Sequence, residues 1–234
     1  MNSKWISVKA DDGGEFGAYL SLPPTGRGPG IVLIQEIWGV NAHIRAMADL
    51  YAADGYVVLA PDIFWRLEPR VDLNYDEAGT AKAYELMQKM DRPKAGLDVA
   101  TAATALRSRP EVGTKIASLG YCMGGFLAYL AATHGAVDAA VCYYGGGIQN
   151  SLDVAPKVRI PILFHYAEKD AHITKDAVES VRFAFASHNN ARIETYPGVD
   201  HGFNCWGRPL YNQAAAALAH GRSLEWLAQH ISAH

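Results

Sequence analysis

The sequence predicts an α/β protein built on a single doubly wound, mostly parallel sheet with helices on both faces. The first observation is that short apolar runs alternate with longer helix-forming stretches along most of the 234 residues, an order typical of parallel strands joined by crossover helices. The second is that the turn sequence Asp-Asp-Gly-Gly at 11–14 lies between the first two runs. Such a turn favours an antiparallel hairpin, so we expect one domain over 1–234 that opens with a hairpin.

The first half of the chain contains a central strand followed by a well-capped helix. Residues 31–34 read Ile-Val-Leu-Ile, which is typical of a parallel strand buried on both faces. Asn41 is a suitable N-cap for the next helix, and residues 63–74 are predicted to be irregular. The predicted strands of this half are 5–8, 15–20, 31–34 and 56–60, and its predicted helices are 42–53, 75–90 and 93–107.

The second half repeats the alternation of strand and helix. Its most regular strand signals are short apolar runs that end next to Gly, Asp or Pro. The closing helix contains Gly221, and we expect a weakness or break there because glycine is a poor helix former. The predicted strands are 116–119, 139–144, 161–166 and 192–196, and the predicted helices are 123–130, 175–187 and 210–230.

Composition narrows the class of protein. Half of the residues are hydrophobic, 19% are charged and the formal net charge is −3, an ordinary globular balance. Lys and Arg form no dense cluster, so neither nucleic acid nor an anionic membrane is an expected partner. Three cysteines are too few for a disulfide framework. With no leader-like start and no apolar run of membrane-spanning length, we expect a cytoplasmic protein, monomeric or weakly dimeric, that acts on a small molecule.

A candidate nucleophile lies between the strand at 116–119 and the helix at 123–130. Gly120-Tyr121-Cys122-Met123-Gly124 follows the nucleophile-elbow pattern Gly-x-nucleophile-x-Gly, with Cys where Ser is usual. Glycines flank the nucleophile because the strained turn leaves little room for side chains. The following helix N-terminus favours a thiolate. The pentapeptide alone is equally consistent with a packed, inert thiol in a Gly-rich turn.

A base and an acid follow the cysteine in the order of an α/β-hydrolase triad. His201 lies in a loop after the last predicted strand, whereas His165 lies inside a strand and is better interpreted as a core residue. Asp170 follows the strand at 161–166 and is the candidate carboxylate that orients the base, although it could also be a turn residue. Asp200 is the rival acid, but it is the immediate neighbour of His201.

The residues after the central strand complete the predicted site. Backbone N–H groups of Met123 and of Ile37 or Trp38 are placed to form an oxyanion hole. Glu36 directly follows the apolar strand. Its charge would raise the pKa of a nearby thiol, and its protonated form could donate a hydrogen bond to that thiol. A salt bridge to Arg45 is the alternative role.

Taken together, these segments resemble the dienelactone hydrolase (carboxymethylenebutenolidase) family of the α/β-hydrolase superfamily. The pairing of Gln35-Glu36 before the oxyanion loop with a Cys elbow is the specific part of the resemblance. The matching segments run in order through nearly the whole chain: QEIWGVN at 35–41, Gly55-Tyr56, Pro61-Asp62, Ala83-Tyr84, GYCMGG at 120–125, Tyr143-Tyr144-Gly145, the Asp170 segment and His201-Gly202-Phe203.

The resemblance implies an α/β-hydrolase fold and cofactor-free hydrolysis of an enol-lactone, dienelactone, to maleylacetate in chloroaromatic degradation. It implies a catalytic triad of Cys122, Asp170 and His201. It also implies that Glu36 swings on substrate binding to deprotonate the thiol, and that Tyr84 lies near the substrate.

The sequence departs from the family pattern in the expected carboxylate-binding residues. The positions of the family's two arginines fall at Thr80 and Cys205, and neither residue can replace a bidentate guanidinium. Arg208 is a candidate replacement, with Lys82 as an alternative. Three aromatic residues near the predicted cleft suggest an apolar substrate pocket: Trp38, Phe203 and Trp206.

Two other functions stay open on the sequence alone. The missing arginines favour a general carboxylesterase with a neutral substrate. A non-catalytic binding or thiol-sensing protein is the third hypothesis, in which Cys142 or Cys205 resolves an oxidised Cys122. No His or Cys pair has convincing metal-ligand spacing, so no metal or organic cofactor is expected.

Overall fold

A computed structural model of the chain describes residues 2–232, with the side chain of Thr114 excepted. Within that range, eight strands form one sheet in the order β1-β2-β4-β3-β5-β6-β7-β8. The strands are β1 (Asn2–Lys9), β2 (Glu15–Leu22), β3 (Gly28–Ile34), β4 (Val57–Pro61), β5 (Val112–Tyr121), β6 (Ala139–Tyr143), β7 (Ile162–Ala167) and β8 (Ala191–Tyr196).

The sheet is antiparallel at one edge and parallel elsewhere. β1 pairs with β2 and β2 with β4 in antiparallel register. The pairs β4–β3, β3–β5, β5–β6, β6–β7 and β7–β8 are parallel. The predicted opening hairpin and mostly parallel sheet are therefore confirmed. The chain runs outward from β3 to β4 and then returns to the other side of β3, so β3 and β5 flank the switch point where α/β sheets place their sites.

Six α-helices connect and cover these strands in the described part of the chain. Several begin at a residue whose side chain accepts a hydrogen bond from the first turn, as Asn41 does from the backbone N–H of Ile44. No helix of the described residues is both long enough and apolar enough to cross a membrane. The helices are α1 (Ala42–Ala53), α2 (Glu77–Lys89), α3 (Arg92–Arg107), α4 (Met123–Thr133), α5 (Lys175–Ala184) and α6 (Gln213–Ile231).

The core lies on both faces of the parallel strands. The run at 31–34 is completely buried, as the sequence predicts for a central strand. Every residue of β4, β6 and β7 is also buried. Removing such side chains from water stabilises the fold by about 1.5–3 kcal/mol for each large aliphatic residue, which gives the loops at the ends of these strands a rigid base.

The prediction for the closing helix was wrong in two respects. α6 begins at Gln213 rather than 210, because the side chain of Asn212 caps it by accepting a hydrogen bond from the backbone N–H of Ala215. The helix also continues through Gly221, which is exposed and has open space around it. Burial of Leu227 and its neighbours on the opposite face offsets the low helix propensity of one glycine.

Candidate active site

The sequence between β5 and α4 forms a sharp turn around Cys122. The backbone of Cys122 has φ 55° and ψ −117°, a strained conformation for a residue with a side chain. Its N–H donates to the carbonyl of Tyr143, at 3.0 Å. A Cβ on Gly120 would collide with the carbonyl of Gly124, and one on Gly124 would collide with the end of β3. The two glycines are therefore sterically required, and the turn presents a half-buried thiol at the edge of the sheet.

Asp170 and His201 meet beside this turn. His201 Nδ1 lies 2.7 Å from Asp170 Oδ2, and both side chains are almost completely buried. The other carboxylate oxygen of Asp170 accepts hydrogen bonds from the backbone N–H groups of His172 and Ile173, at 2.8 and 3.0 Å. Asp170 is thus both a turn residue and the partner of the imidazole, with one oxygen for each contact.

The rival carboxylate, Asp200, does not face the imidazole ring. Its Oδ1 accepts a hydrogen bond from the backbone N–H of His201 at 2.6 Å. His165 is a fully buried core residue, hydrogen-bonded to Tyr196 at 2.8 Å and Ser223 at 3.0 Å, as the sequence predicts.

The electrostatic surroundings of His201 favour its protonated form. Burial lowers the pKa of the imidazole, but the charge of Cys122 and hydrogen bonding to Asp170 and Cys122 outweigh burial and raise the pKa from 6.5 to about 10. A thiolate at Cys122 therefore stabilises the imidazolium of His201. The remaining nitrogen of His201 is available to the thiol because Nδ1 is held by Asp170.

Glu36 lies in the same region, at the end of β3, and is completely buried. Neither of its carboxylate oxygens has a hydrogen-bond partner within normal geometry among the described residues. Burial raises its pKa, although Arg208 and His201, together with looser contacts to Cys205 and Tyr75, act in the opposite direction. Arg208 lies beside it, with Nη1 3.9 Å from Oε1.

Arg45 does not make the alternative salt bridge to Glu36. It pairs instead with Asp72 at 2.7 Å.

A cleft of about 310 Å³ opens above the thiol. Its walls include Ile37 and Met123, the residues whose N–H groups are expected to form the oxyanion hole, and Tyr84 from α2. Most of the remaining wall is apolar, and two arginines interrupt it. The full lining is Ile37, Trp38, Tyr84, Met87, Met90, Arg92, Cys122, Met123, Phe126, Gly146, Gly147, Asn150, His172, His201 and Arg208.

Two residues that the sequence places in the substrate pocket lie outside this lining, so that prediction was wrong for them. Phe203 is completely buried and packs on Tyr144 and Tyr196, with ring centroids 5.4 and 5.0 Å away. Trp206 is 48% exposed and packs edge-on against His43 at 4.3 Å. Loop aromatics carry no periodicity that would show which way they point.

The positions without the expected arginines have other contacts. Thr80 lies 3.4 Å from the indole nitrogen of Trp38, which donates to its hydroxyl. Cys205 is completely buried beside Glu36. Lys82 pairs with surface carboxylates, whereas Arg208 reaches the cleft and lies over the Trp38 ring at 4.8 Å.

Arg92 also lines the cleft, although its place in the sequence does not predict this. Arg92 is the first residue of α3, and its guanidinium lies 5.8 Å from the centroid of Phe126 on the cleft wall. An arginine at a helix start carries no signal that distinguishes it from a solvent-exposed one. Met87 and Met90 were missed for the same reason, since apolar spacing in α2 is equally typical of the core.

The sheet order and the elbow after β5 define an α/β-hydrolase fold. A structure from Klebsiella pneumoniae, provisionally assigned as a dienelactone hydrolase, superposes with a TM-score of 0.86 at 30% identity, covering 97% of this chain and 98% of the other.

Comparison with known sequences narrows this class to a family. The sequence model of the dienelactone hydrolase family matches residues 16–231. Carboxymethylenebutenolidase 1 from Cupriavidus pinatubonensis is 31% identical, and carboxymethylenebutenolidase from Pseudomonas putida is 34% identical; each comparison covers 97% of both chains. The chain belongs to the dienelactone hydrolase family and is a hydrolase.

Proposed function

We propose that the chain is a cysteine-dependent hydrolase that opens a small enol-lactone, or cleaves a related activated ester, through a thioester acyl-enzyme. The observation that carries this proposal is the convergence of Cys122, His201 and Asp170, with the 2.7 Å contact between the imidazole and the buried carboxylate. In this proposal Cys122 is the nucleophile, His201 is the general acid and base, and Asp170 fixes the orientation of the imidazole.

Acylation begins when the Cys122 thiolate adds to the carbonyl carbon and the carbonyl electrons move onto oxygen. The backbone N–H groups of Ile37 and Met123 are the proposed donors to this oxyanion. One such donor is worth about 2.7–4 kcal/mol in a serine protease. As the intermediate collapses, the carbon–oxygen bond of the ester breaks and the leaving oxygen takes the proton of the His201 imidazolium. Cys122 is then a thioester.

Deacylation uses the same groups with water as the nucleophile. Neutral His201 takes a proton from water as the water oxygen adds to the thioester carbon. The carbon–sulfur bond then breaks and releases the acid, which restores the thiolate and imidazolium. With dienelactone, the released enol tautomerises to the ketone of maleylacetate.

Glu36 is assigned the step before acylation: Cys122 rests as a thiol, and the Glu36 carboxylate takes its proton when substrate binds, which leaves the thiolate beside the His201 imidazolium. After the acid is released, Glu36 returns this proton to Cys122. The Glu36 carboxylate is buried next to this site without a hydrogen-bond partner of normal geometry among the described residues, so a modest rotation would break no strong contact. Burial raises its pKa, which makes the carboxylate a better proton acceptor than an exposed glutamate.

The charges of the cleft support a substrate with a carboxylate. Arg208 and Arg92 line the cleft and lie against the rings of Trp38 and Phe126, at 4.8 and 5.8 Å. A guanidinium can bind a carboxylate through two parallel hydrogen bonds. This arrangement offers a substitute for the arginines missing at Thr80 and Cys205, and it is consistent with the names of the related carboxymethylenebutenolidases.

A neutral, more apolar ester is the second candidate substrate. The observation in its favour is the hydrophobic wall formed by Trp38, Met87, Met90, Met123 and Phe126. In that case the protein would be a general carboxylesterase with the same nucleophile.

We also propose that the protein works in a reducing compartment, such as the cytoplasm, because the nucleophile must stay a free thiol. All three cysteines are free.

The two substrates are distinguished by comparing hydrolysis of p-nitrophenyl acetate with that of a carboxylate-bearing dienelactone. We expect Cys122→Ala to abolish both activities. Arg208→Met should lower kcat/KM for the dienelactone by roughly 10–100-fold, because hydrogen bonds to charged groups contribute about 1.5–3 kcal/mol, and should affect the neutral ester less.

Arg92→Met should show a selective loss of the same kind, because Arg92 also lines the cleft. Lys82→Met is the matched control, since Lys82 lies outside the cleft lining and pairs with surface carboxylates, and it should leave both activities unchanged. Equal losses on both esters in the Arg208 and Arg92 variants would favour the neutral-ester hypothesis. Retention of wild-type turnover by Cys122→Ala would contradict the proposed nucleophile.

A further inference from the structure

Beneath the cleft, three side chains with metal-ligating atoms meet in the protein interior. One atom from each of Glu36, His43 and Cys205 lies within 4.8 Å of the others. Their exposed fractions are only 1%, 3% and 0%. Glu36 follows β3, His43 belongs to the first turn of α1, and Cys205 lies in the loop after β8, so three separate parts of the fold position them.

Two members of this cluster, Glu36 and His43, have buried polar atoms without hydrogen-bond partners among the described residues. Among the described residues, both oxygens of Glu36 and both ring nitrogens of His43 lack a hydrogen bond. Such burial is unfavourable, and native interiors seldom leave polar side chains unsatisfied. The ring of His43 contacts Trp206 and Tyr121, with centroids 4.3 and 6.2 Å away, and these contacts satisfy neither nitrogen.

The proposed hydrolysis explains only part of this cluster. Glu36 has a role in it, but neither His43 nor Cys205 lines the cleft or takes part in a proton transfer. A carboxylate, an imidazole and a thiolate are the three ligand types that zinc prefers, at bond lengths of about 2.0–2.3 Å. Ligand atoms on a tetrahedral ion with such bonds are about 3.3–3.7 Å apart, so closure from 4.8 Å needs movements of about 1.5 Å or less.

We propose that Glu36, His43 and Cys205 form a Zn²⁺-binding site, and that bound zinc withholds Glu36 from the nucleophile and so inhibits the enzyme. The inhibitory half rests on the proposed role of Glu36 in hydrolysis. Zinc binding itself does not depend on that role.

The charges around the cluster are consistent with a dication. A carboxylate and a thiolate would together neutralise Zn²⁺, with His43 neutral, and binding would release the thiol proton. The hydroxyl of Tyr75 interacts with both Glu36 and Cys205 and, among the described residues, lacks a hydrogen-bond partner of normal geometry, so a further oxygen lies beside the cluster. Arg208, 3.9 Å from Glu36, is the competing cation, and zinc would displace it from the carboxylate.

Zinc binding is tested in a Cys122→Ala background, which removes the thiol of the cleft. Titration of this protein with Zn²⁺ by calorimetry should show one equivalent bound. Adding Cys205→Ser or His43→Gln should weaken binding at least 100-fold, since even residues that only support metal ligands are worth about 10–100-fold. Cys142→Ser is the matched control, because Cys142 is an equally buried free thiol in β6, and it should bind zinc like the parent.

Co²⁺ supplies a second readout that identifies the ligand directly. A thiolate-to-cobalt charge-transfer absorption should appear in Cys122→Ala, persist with Cys142→Ser and disappear with Cys205→Ser. If Cys205→Ser unfolds, the spectrum of the folded Cys122→Ala/Cys142→Ser protein shows whether Cys205 binds the cobalt ion, because Cys205 is then its only cysteine. Absence of the band there, or undiminished zinc affinity in folded Cys205→Ser, would overturn the site.

Inhibition is measured separately on enzyme with Cys122 intact. Zinc should lower kcat in the wild type and lose this effect in Cys205→Ser. Zinc bound at the site with kcat unchanged would overturn the inhibitory half. An enzyme whose Cys122→Ala variant still turned over ester would refute the proposed function while leaving the binding result intact.

Discussion

Removal of the Cys122 thiol should lower the pKa of His201 by about 2 units or more. In the wild type, burial disfavours the imidazolium, and Cys122 provides the largest opposing influence. Asp170 remains in Cys122→Ala, but its single contact to Nδ1 must then oppose burial alone. The pKa of His201 should therefore fall from about 10 by that amount.

The free energy involved is large because the pair is shielded from water. The rise in the pKa of His201 from 6.5 to about 10 corresponds to about 5 kcal/mol in favour of the imidazolium, at about 1.4 kcal/mol for each unit. The side chains of His201 and Asp170 are only 8% and 0% exposed, so solvent screening removes little of it.

The assay is an NMR titration of the histidine ring protons between pH 5 and 11, with the His201 signal assigned by its loss in His201→Gln. Unfolding by urea gives a second readout. Because the folded pKa is raised, this contribution to stability is complete below about pH 6.5 and is lost as the pH rises through about 10. A His201 signal that titrates near 6.5 in the wild type, or that has the same pKa in Cys122→Ala, would refute this reasoning.

Three further predictions concern the acid, the elbow and the buried histidines. Asp170→Asn should lower kcat by about 10³–10⁴-fold with little change in KM, as loss of the orienting aspartate does in serine proteases; a loss below tenfold in a steady-state ester assay would contradict its role. Gly124→Ala should destabilise the fold by about 1–3 kcal/mol, because the new Cβ meets backbone carbonyls at the end of β3. Gly221 has open space around it on α6, so Gly221→Ala should raise the stability by about 0.5–1 kcal/mol. Thermal unfolding of both variants checks this contrast. Burial lowers the pKa of His43 to about 4 and that of His165 to about 3, so stability should be complete above about pH 6.5 and fall on acidification, by about 3 kcal/mol through His43 alone at pH 4. A free energy of unfolding that stays constant from pH 6.5 to 4 would contradict this. So would a His43→Gln variant whose free energy of unfolding falls as steeply between these pH values as that of the wild type.

The sequence predicts the framework of the site because strand ends in a parallel sheet are geometrically constrained. Glu36, Cys122, Asp170 and His201 each follow a predicted strand, and the carboxyl ends of β3, β5, β7 and β8 share one edge of the sheet. The flanking glycines also identify the elbow, since the structure leaves no space for their side chains.

The walls of the cleft depend on features that local sequence does not encode. Phe203 and Trp206 follow the same strand as His201, yet one packs in the core and the other against His43. Arg92 reaches the cleft only because α3 starts beside the elbow helix. Residues distant in the chain become neighbours through packing, and no periodic pattern records which ones.

The cluster of Glu36, His43 and Cys205 likewise forms through packing of segments that are distant in the chain. Glu36 and His43 are seven residues apart, but Cys205 lies in the loop after the last strand. Metal sites are recognised in a sequence by short, repeated ligand spacings, and this arrangement has none.

The central claim is that Cys122 carries the acyl group during turnover. The most direct test is a rapid-quench experiment with p-nitrophenyl acetate, followed by mass spectrometry of the protein and of its Cys122 peptide. We predict a burst of about one p-nitrophenolate per chain and an acetyl group on the Cys122 sulfur that decays at the rate of turnover. Turnover without an adduct on that peptide, or an unchanged rate in Cys122→Ala, would contradict the account.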